Sequence, residues 1–288
     1  MKETLLHQPD AAKCPIGVFD SGYGGLTILK EIVKELPEYD YIYLGDNART
    51  PYGTRSFEVV YEYTLEAVRR LFGLGCRLVI LACNTASAKA LRTIQQRDLP
   101  VIDSRRRVLG VIRPSVEALA AYTRNGHVGI LATRGTVASC SYPLEIEKLY
   151  GGTHWQITQV ACPLWVPLVE NGELAGEGTD YFIQKYIDEL WKRDSEVDTV
   201  ILGCTHYPLL RERIAAYMPA YVRIIEQGPI VARSLRNYLL RHPEMEREIS
   251  RGKEIRYFTT EKPELFGRMA GVFLGREIVA EHLDILDR

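Results

Sequence analysis

Cys204, Thr205 and His206 set a thiol, a hydroxyl and an imidazole side by side at the end of an apolar run, Val200-Ile201-Leu202. The run reads as a buried strand, and Pro208 ends it. A second stretch has the same design: Val79-Ile80-Leu81-Ala82 leads into Cys83, Asn84 and Thr85. The reactive form of cysteine is the thiolate, and an unperturbed thiol has a pKa of roughly 8.5. Each cysteine falls between a strand and an expected helix N-terminus, whose partial positive charge favours the thiolate. One thiol with one imidazole would suit a nucleophile, as in a hydrolase. Two thiols in equivalent positions suit a symmetric task. One removes a proton from a carbon, the other supplies a proton to the opposite face, and the roles exchange for the return reaction. That is general acid–base catalysis, which wants pKa values near the working pH.

Alternating strands and helices must position these groups. Ile16-Gly17-Val18-Phe19 reads as a first strand, running into Asp20-Ser21-Gly22-Tyr23-Gly24-Gly25. The glycines allow a tight turn into a helix over 26–36, and such a turn offers backbone N–H groups to an anion. Asp20 is an acid at a strand end, where α/β sites form. Tyr41-Ile42-Tyr43-Leu44 is the second strand, and 45–53 is a loop rich in ligand-binding groups, with Asp46 a candidate to cap it. Helices are expected over 56–74 and 85–97, with the first cysteine strand between them. Val101-Ile102 is expected as a strand, and Asp103-Ser104-Arg105-Arg106-Arg107 as a solvated or subunit-contact surface. A helix follows over 114–124.

The pattern then restarts. Val128-Gly129-Ile130-Leu131-Ala132-Thr133 aligns with the first strand at an offset of 112, and the two cysteine strands align at an offset of 121. Gln156-Ile157-Thr158-Gln159-Val160 plays the second strand, with helices expected over 181–191, 209–217 and 230–240 and a strand over 222–225. The chain is thus read as α/β, an internal repeat of two pseudo-symmetric lobes with mainly parallel sheets. Residues 14–113 with 225–288 form the first lobe, 114–224 the second, and 1–13 an extension. Ligands of such sheets bind beyond the carboxyl ends of the strands, so the site is expected in the cleft between the lobes.

The 288 residues suffice for two lobes with ample core. The net charge of -1 gives no electrostatic case for nucleic acid or an anionic membrane. No apolar run approaches a membrane span, and the first residues lack the apolar core of a signal peptide, so a cytoplasmic enzyme is expected. The six cysteines show no C-x-x-C spacing and are read as thiols rather than disulfides. Cys14, Cys76, Cys140 and Cys162 are expected to be packing residues. His206 with Cys204 makes only two ligands, short of the three of a catalytic zinc site, so no metal is expected.

Five segments together resemble the glutamate racemases of the cofactor-independent aspartate/glutamate racemase superfamily. They are 19–27, 45–53, 82–88, 161–170 and 203–210, with Ala82-Cys83-Asn84-Thr85 and Gly203-Cys204-Thr205-His206-Tyr207-Pro208 the most telling. The resemblance implies two Rossmann-like lobes, with the C-terminal tail returning to the first. It implies pyridoxal-free interconversion of L- and D-glutamate for peptidoglycan, and commonly a homodimer. Cys83 and Cys204 match the catalytic pair, the first acting on the D- and the second on the L-enantiomer. Asp20, Glu170 and His206 match assisting positions. Asp20, Ser21, Pro51, Tyr52, Gly53, Asn84, Thr85, Thr205 and His206 match substrate contacts. Some relatives are activated by a peptidoglycan precursor. The chain departs from the family pattern at Arg113, at Arg134, and at Glu226-Gln227-Gly228, where Asp-Ser-Gly is usual. The alternatives are a racemase of aspartate or another amino acid, a one-thiol hydrolase, and a non-catalytic or regulatory binding protein. Aspartate-acting relatives tend to carry Glu at the place of His206, and retention of both cysteines counts against a purely binding role.

Overall fold

Ten strands carry the fold of this computed structural model, which describes residues 14–151 and 154–285. They are β1 (Ile16–Asp20), β2 (Tyr41–Gly45), β3 (Leu78–Leu81), β4 (Arg107–Gly110), β5 (His127–Ala132), β6 (Gln156–Ala161), β7 (Thr199–Gly203), β8 (Arg223–Ile225), β9 (Ile255–Thr259) and β10 (Glu281–His282). One sheet has the order β10-β9-β2-β1-β3-β4 and the other β6-β5-β7-β8. Every adjacent pair is parallel. The block β2-β1-β3-β4 thus recurs as β6-β5-β7-β8, and the repeat legible in the sequence is a repeat of topology. In both blocks the cysteine strand, β3 or β7, lies beside the strand that opens the lobe.

β1, β2, β3 and β7 are buried along their whole length. Helices cover both faces of a parallel sheet, so its inner strands read as unbroken apolar runs rather than alternating ones. Helix Phe57–Gly73 shows the complementary pattern. Val60, Thr64, Val68 and Leu71 face inward at helical spacing, and Ser56 caps the start by accepting the Val59 N–H at 3.3 Å. Such a cap is worth about 1 kcal/mol. After the second sheet the chain returns to the first lobe. Helix Gln227–Arg241 packs on helix Leu26–Glu35, and β9 then adds to β2. Gly228 permits the helix contact, because a Cβ there would stand 2.9 Å from Glu31 Cγ.

Four expectations need correction. Val101-Ile102 is not a strand: helical structure runs on through Leu99–Ile102 by way of a π-helical turn, Ile94–Asp98. The wide turn admits an extra residue near Pro100, and Val101 is 86% exposed, which no core strand of this sheet tolerates. The strand is instead β4, which starts at the last arginine of the basic run. The basic run itself is a largely solvated surface as expected, with Ser104, Arg105 and Arg107 exposed and Arg106 stacked over Phe72 and paired to Asp103. The helix expected over 114–124 is Ile112–Glu117 followed by a 3-10 turn, and the one over 209–217 begins with a 3-10 turn at Tyr207–Leu210. Cys140 is exposed and left-handed, with φ 52°, not a packing residue. The extension of residues 1–13 lies outside the described residues. Among those described, no helix is long and apolar enough to cross a membrane.

Candidate active site

β3 stops at Leu81, and Cys83 is the N-cap of helix Asn84–Lys89. Its sulfur accepts the Ala86 N–H at 3.5 Å, and its S–H points to Ser21 Oγ at 3.4 Å. Ser21 comes from the turn after β1, the neighbouring strand. Asp20 ends β1 and is buried. Its Oδ2 accepts the Gly22 N–H at 3.0 Å, while Oδ1 has no partner. A buried carboxylate oxygen without a partner is costly. A ligand cation entering the cleft would supply that partner.

β7 delivers the other half. Cys204 Sγ lies 3.9 Å from His206 Nδ1, and His206 Nε2 lies 3.0 Å from Glu170 Oε1. Glu170 ends helix Trp165–Glu170, which is anchored by Trp165 packing edge-on against Tyr207 at 4.8 Å between ring centroids. Tyr207 OH in turn donates to Cys162 O at 2.9 Å. Cys162 is buried, and its thiol is directed at Val160 O. Phe273, from the returning C-terminal segment, covers His206 edge-on at 5.4 Å. Gly24 has to be glycine here: a Cβ would overlap Thr205 Oγ1 and the His206 ring.

The two halves are joined. Thr27 Oγ1 donates to Thr205 O at 3.0 Å, and Thr85 Oγ1 meets Thr133 Oγ1 at 3.0 Å. Asp20 feels the charges of His206 and Glu170, and Cys83 feels Cys204. Asp20, Ser21, Cys83, Thr85, Glu170, Cys204, Thr205 and His206 therefore gather in one region.

The electrostatics are not symmetric. Burial, then the Asp20 carboxylate, pushes the Cys83 thiol up to about 12 against the pull of Ser21 and the Ala86 N–H. The expectation that a helix N-terminus would make Cys83 a ready thiolate is overturned. The helix has six residues, and desolvation beside a carboxylate outweighs its end. His206 goes the other way. Burial alone would lower it, but hydrogen bonds to Cys204 and Glu170, with their charges, raise it to about 10. It is therefore an imidazolium at neutral pH beside Cys204. The stability that ion pairing adds is complete below about 6.5 and is lost as the pH rises through about 10.

Burial raises the Asp20 carboxyl, with His206 opposing. A carboxyl raised above its ordinary value of 3.8 costs stability at every higher pH, because the fold then holds a charge it disfavours. Asp20→Asn is expected to raise Tm by a few degrees and to lower kcat/KM by about 10- to 100-fold, since function and stability trade off at such groups. Thermal melts and rates together check this; a less stable variant would refute the sign.

Four expected contacts are differently disposed. The Tyr52 hydroxyl is buried and donates to Asp46, which also accepts from Arg49 Nε and Thr260 Oγ1, so Asp46 fastens this loop. Pro51 is exposed, and Gly53 packs against Thr133. Both polar ends of the Asn84 side chain are engaged by Tyr142 and Gln227, away from the thiols' own partners. Thr133, Tyr142, Gln227 and Phe273 lie at this region without being among the expected site residues. A signal existed for Thr133, which aligns with Ser21 in the repeat. None existed for Phe273, which reaches His206 from 67 residues downstream only through the return of the tail.

The family model for Asp/Glu/Hydantoin racemase matches residues 16–235. A glutamate racemase of Geobacter metallireducens is 41% identical over 264 residues, covering 91% of this chain and 93% of that protein. The glutamate racemase of Francisella tularensis, solved with D-glutamate, superposes with a TM-score of 0.83 at 31% identity, covering 95% of this chain and 98% of that one. The Escherichia coli glutamate racemase, solved with L-glutamate and the activator UDP-MurNAc-Ala, gives a TM-score of 0.74 at 29% identity, covering 95% and 100%. With these relatives along nearly its whole length, the chain belongs to the Asp/Glu/hydantoin racemase family, among its glutamate racemases.

Proposed function

We propose that this chain interconverts L- and D-glutamate by two-base proton transfer at the α-carbon, supplying D-glutamate for peptidoglycan. The observation that carries the mechanism is the pair of cysteines at equivalent strand ends of a repeated topology, each with its own tuning group. With His206 cationic and Cys83 protonated, the resting site is poised for L-glutamate. Cys204, beside the imidazolium, takes the α-proton, and the Cys83 thiol supplies one to the opposite face. For D-glutamate the roles reverse, Cys83 being the base. Asp20 is matched to the substrate ammonium, whose charge would satisfy Oδ1 and also ease ionisation of Cys83. Ser21, Thr85, Thr205 and the backbone N–H groups of Tyr52, Gly53 and Asn84 supply donors for the two carboxylates, with Pro51 shaping the loop that presents two of them. His206 and Glu170 tune Cys204.

The lobes are proposed as 14–113 with 225–288, and 114–224, in a cytoplasmic homodimer. A peptidoglycan precursor is proposed as an activator. In support, a cavity of about 540 Å³ at the lobe junction is lined by Lys89, Arg92, Arg113, Lys148 and Arg241 against Glu117 and Glu145, an excess of cations suited to an anionic ligand.

The test is circular dichroism of L-glutamate incubated in deuterated water without pyridoxal phosphate or metal, followed by mass spectrometry of the product. The signal should vanish, and the D-glutamate formed should carry deuterium at the α-carbon. Signal loss with aspartate alone, or a need for either additive, refutes the reading. The same sample, weighed by light scattering and assayed with UDP-MurNAc-Ala, tests the dimer and the activator. A monomer removes the first, and an unchanged rate the second.

A further inference from the structure

Gln227, one of the chain's departures from its family's pattern, stands where the two lobes meet. It opens helix Gln227–Arg241 and is only 2% exposed. Its Oε1 accepts the Asn84 Nδ2 hydrogen bond at 2.7 Å. Its Nε2 faces three acceptors: Ser115 Oγ at 2.8 Å, Tyr142 OH at 2.9 Å and Val111 O at 3.2 Å. The hydrogens of those two hydroxyls are already committed. Ser115 donates to Val111 O at 2.7 Å, and Tyr142 donates to Asn84 Oδ1 at 2.8 Å. Only a donor satisfies all three positions, so the amide orientations of Gln227 and Asn84 are both dictated.

The partners tie this amide to both thiols. Asn84 follows Cys83 directly. Tyr142 packs against the residue before Cys204, since a Cβ on Gly203 would stand 3.4 Å from its ring. Val111 and Ser115 lie on the link from β4 into the second lobe, between the sheets. We infer that Gln227 is a positioning residue for racemisation, holding the Cys83 and Cys204 strand ends in register across the cleft through Asn84 and Tyr142. The inference rests on the racemase reading. Two-base transfer needs both sulfurs placed against one carbon, and a misplacement of about 1 Å can cost about 100-fold in rate. A shorter side chain such as serine could not reach all four partners from this position.

The experiment measures kcat and KM for both enantiomers, with thermal melts, for wild type, Gln227→Leu and Gln227→Glu from about pH 6 to about pH 9. Gln227→Leu should lower kcat about 10- to 100-fold in both directions, with KM within about threefold. Gln227→Glu discriminates further. A protonated carboxyl can donate as the amide does, whereas a carboxylate faces three lone pairs, and burial brings such a titration toward neutrality. Its kcat deficit should therefore be small at the acid end and grow with pH. That trend does not depend on Gln227→Leu folding well. A merely structural role would lower Tm and leave the kcat of folded enzyme untouched. Folded Gln227→Leu with wild-type kcat, or a Gln227→Glu deficit independent of pH, overturns the inference alone. A wild type inactive on glutamate would remove the racemase reading and this inference with it.

Discussion

Cys83→Ala and Cys204→Ala should each reduce racemisation by at least about 1,000-fold while glutamate still binds. A positioned acid or base contributes typically about 100- to 10,000-fold, and here a lost sulfur removes one whole face of the reaction. The geometry offers no substitute. Around Cys83 the near groups are the Ser21 hydroxyl, the Ala86 amide and Asp20, and Asp20 is the group expected to meet the substrate ammonium. Around Cys204 they are His206 and Glu170, already bonded to each other at 3.0 Å. The remaining thiol should retain half of the chemistry. With Cys83→Ala, Cys204 should exchange the α-proton of L-glutamate with solvent without making D-glutamate, and Cys204→Ala should exchange only D-glutamate. Calorimetric binding, polarimetry and deuterium wash-in on each variant measure the three quantities separately. Substantial racemisation by either variant would sink the two-thiol mechanism.

His206→Asn comes second. At neutral pH the raised imidazole is a buried cation beside Cys204, held by Glu170. Removing it takes the positive charge from beside Cys204 and leaves Glu170 without its partner. Loss of such a hydrogen-bonded buried charge partner is worth several kcal/mol, so kcat/KM should fall about 100-fold near neutrality. The pH profiles carry the sign. Wild-type activity should decline as pH climbs through about 10, where His206 loses its proton and the pair its charge. The variant, with no imidazole to lose its proton, should lack that limb. Parallel profiles for wild type and variant would show that His206 has no electrostatic role in the proton transfer.

Much of this protein is legible in its pattern of residues. Apolar runs such as Val79–Ala82 and Val200–Leu202 announce buried parallel strands, because strands covered on both faces have no polar side to show. The residues after those runs mark the site, since the carboxyl ends of such strands are where ligands bind. The recurrence of the cysteine strand announces the repeat that the sheet orders display. Val101-Ile102 misled because two apolar residues carry no period, and only their exposure in the folded chain tells helix from strand. Cys83 misled because its place at a helix start is local, whereas burial and the neighbouring Asp20 come from the whole fold. Which atoms meet was likewise beyond local pattern. Glu170 lies 36 residues from His206, and Gln227 lies 143 from Asn84. Cys204-Thr205-His206 and Cys83-Asn84-Thr85 thus put forward the candidate reacting groups from their chemistry. Their protonation, partners and mutual placement belong to the tertiary structure, because desolvation, charge and hydrogen bonding act through space between segments distant along the chain.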